Sequence, residues 1–354
     1  MEPVAVRILH PAAAPDAPEL VTILADARLA SATRIGAEFQ AAGATDVAMV
    51  SGPADGLPFG ARLRGITTKV TEELGAEAGL VVLGSGSIPL ARGRFLRELV
   101  GVAASGERIA LANSFYSADV VAIGVAANLA SVPDLPSDNG LPRWLREERG
   151  YEVGDRRARW RLGMDLDSPL DVALMTNEPP AGLVALLGHV RERAGRLRAL
   201  AADASKQLVI AGRTSSATLR WLERETASRT RALIEERGLR AIGVGGEGQR
   251  PPRSTLALLV DDPGPERFGS VLAELGDGAI VDSRVLLAHR LGADEAKWPS
   301  PEDRYASDLL LPERIADPWL AAITASALDA SIPVLLGGHT LVGPGVRLVL
   351  GGDT

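Results

Sequence analysis

The sequence predicts an α/β protein with a mainly parallel sheet covered by helices. Three observations carry this. Short runs rich in Val, Ile and Leu alternate with segments of helical period along the chain, the pattern of strand–helix–strand units. Hydrophobic residues make up 46% of the 354 residues and charged ones 23%, an ordinary globular composition with ample core. Helix ends carry the right punctuation: Asp317-Pro318 is an N-cap with proline in the first turn, and Gly238 follows Glu235-Glu236-Arg237.

In chain order, strands are expected over residues 4–9, 47–51, 80–83 and 109–112, with helices over 30–42, 92–104 and 141–149. The second half fits strands at 207–211, 255–260, 279–281, 333–336 and 347–350. Its helices fit 216–237, 266–275, 300–310 and 317–330. Glu178-Pro179-Pro180 interrupts the pattern, and a basic helix with Arg191, Arg193, Arg196 and Arg198 follows. The expected organisation is a domain over 1–178 and a C-terminal α/β region over 179–354.

Composition excludes several classes of function. Aromatic residues are only 4%, the formal charge is −7 and the sequence pI about 5.3, which argues against nucleic acid as a partner. With no cysteine, disulfides, thiolate metal sites and a cysteine nucleophile are ruled out. The first 20 residues lack the order of a signal peptide, and no apolar run approaches the roughly 18 residues of a membrane span. The expected address is the cytoplasm, with no membrane partner; homo-oligomerisation is left open.

The segment Met164-Asp165-Leu166-Asp167-Ser168-Pro169-Leu170-Asp171 carries most chemistry. A short strand ending in Ser-Pro would send Asp165 and Asp167 to one face. Two carboxylates there suit magnesium, which keeps water and substrate phosphates as its other ligands. Ser168 can cap the following helix and Pro169 can occupy its first turn. The plain alternative is that cap alone, with solvated acids beside it.

This segment resembles the closing Asp-x-Asp-Thr-Pro-x-Asp motif of molybdenum-cofactor nucleotidyltransferases and 2-phospholactate guanylyltransferases. The upstream order is similar to theirs: Gly79-Leu80-Val81-Val82-Leu83-Gly84-Ser85-Gly86-Ser87-Ile88-Pro89-Leu90, then Asn113-Ser114-Phe115 and Asp119-Val120-Val121-Ala122-Ile123. The resemblance covers residues 1–175, about half the chain. It implies a three-layer sandwich with a mainly parallel sheet (nucleotide-diphosphate-sugar transferase-like, GT-A-like). It also implies magnesium held against nucleotide phosphates, with Asp167 as one metal ligand and Ser87 at a neighbouring strand end. Two features depart from the pattern. Ser87 stands where the family has Asp, and the glycine-rich phosphate loop after the first strand is replaced by His10-Pro11-Ala12-Ala13-Ala14-Pro15.

Phosphate binding could therefore lie elsewhere. Gly212-Arg213-Thr214-Ser215-Ser216 runs from an expected strand into a helix, offering backbone N–H groups, hydroxyls and a guanidinium. On the helix expected over 216–237, Arg229 would face inward with Glu225 one turn before it. Arg213 and Arg229 then form either an anion pocket or structural ion pairs. His339, one of four histidines, follows Gly337-Gly338 on a turn and could bind phosphate or move a proton. Gly243-Val244-Gly245-Gly246-Glu247-Gly248 precedes an expected strand rather than a helix and so reads as a loop.

The expected function is a magnesium-dependent nucleotidyl- or related phosphoryl-transferase acting on a nucleotide or phosphorylated metabolite. Asp165 and Asp167 would act catalytically and hold the metal. Ser85, Ser87, Gly212, Arg213, Thr214, Ser215, Arg229 and His339 would contact substrate or phosphate. The alternative is a catalytically degenerate transferase fold that binds a ligand or serves as a scaffold.

Overall fold

The computed structural model describes residues 1–52, 56–176, 178–239 and 250–351. The chain divides into two compact units, Met1–Ala17 with Ala25–Leu166 and Pro18–Leu24 with Asp167–Thr354. Both are α/β. No helix among the described residues is long and apolar enough to cross a membrane.

The sheet of the first unit contains β1 (Val4–Pro11), β2 (Asp46–Gly52), β3 (Gly79–Gly84), β4 (Ile109–Ala112), β5 (Val120–Ile123) and β6 (Glu152–Asp155). Their order is β2-β1-β3-β5-β4-β6, and only β5 runs antiparallel to its neighbours. The other strands all end at one edge. Helices α1 (Glu19–Ala41), α2 (Phe59–Leu74), α3 (Gly93–Ala103) and α4 (Leu141–Arg149) supply the cover.

Period-two alternation explains the layers. Val4, Val6 and Ile8, Val81 and Leu83, and Val120 and Ala122 share one core with Ile35 and Phe39 of α1 and Leu96 and Leu99 of α3. The intervening Ala5, Leu80, Val82, Val121 and Ile123 share another with Leu63 and Val70 of α2 and Leu141 and Leu145 of α4. With both faces buried, β3 and β5 read as unbroken apolar runs. The expectations contain no counterpart of α2. Gly60, Gly65, Thr67, Thr68, Val70 and Thr71 lower its helix propensity, and the buried stripe Leu63, Ile66, Val70 secures it by packing instead.

The second unit carries helices α5 (Pro169–Met175), α6 (Ala181–Leu186), α7 (Gly188–Ala201), α8 (Ser216–Glu225), α9 (Thr255–Asp261), α10 (Phe268–Leu275), α11 (Ser283–Leu291), α12 (Pro301–Asp308), α13 (Pro318–Leu328), α14 (His339–Val342) and α15 (Val346–Val349). Its strands β7 (Gln207–Gly212), β8 (Arg229–Ile234), β9 (Gly278–Asp282) and β10 (Val334–Gly337) form a parallel sheet in the order β10-β9-β7-β8.

Three expectations are corrected here. The helix expected over 216–237 stops at Glu225, and Arg229–Ile234 forms edge strand β8, in register with β7 from Gln207↔Arg229 to Gly212↔Ile234. Arg229, Thr230, Arg231 and Ala232 alternate exposed and half-buried as an edge strand should, while Thr226, Ala227 and Ser228 turn the chain. Residues 255–260, expected as a strand, form α9, whose start is set by the Ser254 hydroxyl accepting from the Ala257 N–H. Residues 347–350, also expected as a strand, fall largely in α15. Apolar runs of four to six residues carry no period that separates strand from helix. The glycine run Gly243–Gly248 lies outside the described residues.

In both sheets the chain reverses its direction of growth. From β1 it adds β2 on one side and β3 on the other; from β7 it adds β8 on one side and β9 on the other. Such a reversal leaves a crevice beyond the carboxyl ends of the paired strands, the usual ligand position in open α/β sheets.

Candidate functional site

At the reversal in the first unit, β1 delivers His10 and β3 is followed directly by Ser85. Their side chains meet, His10 Nδ1 lying 3.1 Å from Ser85 Oγ, and both residues are buried. The Ser85 N–H donates to the Leu9 carbonyl at 2.9 Å, and the Ser87 N–H to Gly84 at 3.1 Å, folding Gly84–Ser87 into a tight turn docked on β1. Burial, reinforced by the Arg28 guanidinium and opposed by Asp26, holds the His10 pKa below its ordinary 6.5. The imidazole is therefore neutral at neutral pH and able to exchange a hydrogen bond with the Ser85 hydroxyl.

Asp165 closes one side of this turn. Ser87 faces it across a single antiparallel bridge, and the Leu166 N–H reaches the Gly86 carbonyl at 3.0 Å. The expected strand at 164–167 is thus reduced to one bridge. Glycine is required at 86, because a Cβ there would stand 2.8 Å from Asp165 Oδ1 and 3.0 Å from the Leu166 carbonyl. Arg28 Nε donates to that same carbonyl at 2.6 Å. Next in the chain, Ile88 is fully buried with φ +47°, a left-handed conformation that strains a β-branched residue. Strain of this kind gathers at functional sites.

The rest of the acidic motif belongs to the second unit, the division falling between Leu166 and Asp167. Ser168 caps α5, accepting from the Asp171 N–H at 3.3 Å, and Pro169 opens its first turn as the sequence implied. Asp171 Oδ2 in return accepts from the Ser168 hydroxyl at 2.9 Å and the Asp167 N–H at 3.0 Å. Burial, with Asp167 and then Asp308 nearby, raises the Asp171 pKa from 3.8 to about 8, so its carboxyl is protonated at neutral pH. The third acid of the motif thus completes the cap of α5. Asp167 Oδ2 instead lies 3.5 Å from His339 Nδ1, at the start of α14 beyond β10.

The reversal in the second unit is closed by an ion pair. Arg213 reaches Asp282 through Nε at 2.6 Å and Nη2 at 3.1 Å. Gly212 makes room for this at φ +119°, where a Cβ would come 2.3 Å from that of Asp282. Asp282 is fully buried; burial would raise its pKa, but Arg213 above all pulls it below the ordinary carboxylate value. Beside it Arg284 forms a two-point pair with Asp308, both contacts at 2.6 Å. Ser215 caps α8, its oxygen accepting from the Thr218 N–H. Thr214 Oγ1 is buried without a hydrogen-bond partner among the described residues.

The anion pocket imagined from Arg213 and Arg229 is not formed. Arg229 opens β8 at its amino end and is exposed, whereas Arg213 lies past the carboxyl end of β7. His10, Asp282, Arg284 and Asp308 carried no motif in the sequence. Their one signal was position, since His10 and Asp282 sit at the carboxyl ends of expected strands. No group of three or more His, Asp or Glu side chains poised to hold a metal occurs among the described residues. Comparison with protein-family models finds no match, and neither does a search of curated proteins.

Proposed function

We propose that the first unit binds a nucleotide or phosphorylated metabolite at the crevice beyond β1 and β3, as a magnesium-dependent nucleotidyl- or related phosphoryl-transferase. The observation that supports this most is the His10–Ser85 pair at the sheet reversal, beside a glycine-dependent turn and a strained Ile88. A neutral imidazole and the Ser85 and Ser87 hydroxyls supply hydrogen bonds to phosphate oxygens, and Arg28 contributes positive potential. Phosphoryl transfer asks little covalent work of a protein beyond such positioning. In this reading Asp165 is the one carboxylate offered to magnesium, so the ion would arrive with the phosphates and keep its waters. When bound it would neutralise phosphate charge.

The experiment is calorimetric titration of nucleoside triphosphates, with and without magnesium, into the wild type and into Ser85→Ala and His10→Ala. Binding that needs magnesium and weakens by roughly tenfold in either variant is expected. No binding to the wild type, or binding indifferent to both changes, would remove this reading. A module that binds without turnover is the second reading, favoured by Ser87 standing where the resembling motif has an acid; binding without product formation would select it.

A further inference from the structure

The same edge of the first sheet carries a second, chemically different cluster beyond β4 and β6. Segment 141–161 holds seven arginines against four acids, in a chain whose net charge is −7. Several of these guanidiniums lie beside aromatic rings. The Arg146 guanidinium lies 4.0 Å from the ring centre of buried Phe115, and Phe115 meets Tyr116 edge-to-face at 4.9 Å. Tyr116 is 62% exposed, with the Arg157 guanidinium 6.0 Å from its ring centre. Arg159 stands 6.0 Å from the Phe95 ring.

The carboxylates present do not use up these donors. Arg156 and Arg159 share Glu98, whose pKa is lowered chiefly by its hydrogen bond to Arg156. Arg157 engages Asp155 through Nε at 3.2 Å and Nη2 at 2.9 Å, while among the described residues the carboxylate nearest Arg146 is Glu147, at a loose 3.9 Å. A guanidinium has five donors in one plane. A guanidinium that lies beside a ring keeps edge donors for two-point recognition of an oxyanion. Strands lie about 4.8 Å apart, so β4 ends roughly 10 Å from β3 and β6 roughly 14 Å. One substrate could span from Ser85 to this rim, or two could sit side by side.

We infer that Arg146, Arg157 and Arg159, gathered beside the Phe115–Tyr116 and Phe95 rings, form an oxyanion subsite for the phosphate or carboxylate group of a small molecule. The inference deepens the transferase reading by requiring an anionic group on the substrate at this end of the edge, and it can fail independently of it. The test is titration of inorganic pyrophosphate and of citrate into the wild type, Arg157→Ala, Arg146→Ala and Ser85→Ala, at low and high salt.

Binding of either probe that falls roughly tenfold or more in Arg157→Ala or Arg146→Ala, and less in Ser85→Ala, is expected. Which probe binds names the group as phosphate or carboxylate. Neither probe binding, or binding lost in Ser85→Ala and untouched in both arginine variants, overturns the subsite; the second outcome leaves the crevice reading standing. Melting temperatures of the exposed Arg157→Ala variant confirm that any loss is not unfolding.

Discussion

Arg213 grips Asp282 at two points while Gly212, at φ +119°, lets the carboxylate press against the backbone. A buried carboxylate deprived of its partner is costly. Arg213→Ala should destabilise the protein by about 3–5 kcal/mol, and adding Asp282→Asn should recover part of the loss. Asp282 is held below its ordinary pKa of 3.8, so the stability it supplies is present above that value and is lost as pH falls through the lower folded value. Chemical denaturation at pH 3 to 7 should show this acid limb in the wild type and not in the double variant. An Arg213→Ala protein as stable as the wild type would contradict the pairing.

Asp171 behaves in the opposite sense. Its pKa rises from 3.8 to about 8 in the fold, so ionising it opposes folding. The penalty is absent below the unfolded value, grows between 3.8 and about 8, and is complete above that. Asn mimics the protonated carboxyl and keeps an oxygen for the Ser168 hydroxyl and the Asp167 N–H. Asp171→Asn should therefore match the wild type below about pH 4, exceed its melting temperature increasingly up to about pH 8, and keep a constant advantage above that. Parallel melting curves across that range would refute the assignment.

Gly86→Ala tests the turn that carries Ser85. The added methyl meets Asp165 Oδ1 and two neighbouring groups within 3.1 Å, and backbone is among them. A cost of roughly 1–3 kcal/mol is expected, with nucleoside triphosphate affinity reduced alongside. Ser168→Ala is the companion control. Loss of the α5 cap should cost about 1 kcal/mol and leave affinity unchanged.

Much of the scaffold was legible. The strands at 4–9, 47–51, 80–83, 109–112, 207–211 and 279–281 were placed by apolar runs between turn residues, and each appears within a residue or two of its expected bounds. Failures fell where local and tertiary preferences compete. Glu225 and Arg229 looked like an i,i+4 pair on one helix, but Arg229 begins a strand that gains its partner only by lying beside β7. The candidate site was less legible. Ser85 and Ser87 stood out through a motif, yet His10 reaches Ser85 across 75 positions, a contact created by sheet order and not by spacing.

The lone antiparallel strand has a further consequence. Because β5 runs against β4, the chain between them needs no crossover helix and reverses in residues 113–119 alone. That reversal hangs Phe115 and Tyr116 over the rim where the strands finish. A short hairpin tip can be exchanged without rebuilding any helix beneath it. Selectivity at this rim could therefore diverge through a handful of codons while the layered frame stays fixed, making exposed Tyr116 and Ser117 the natural positions to randomise in a search for altered ligands.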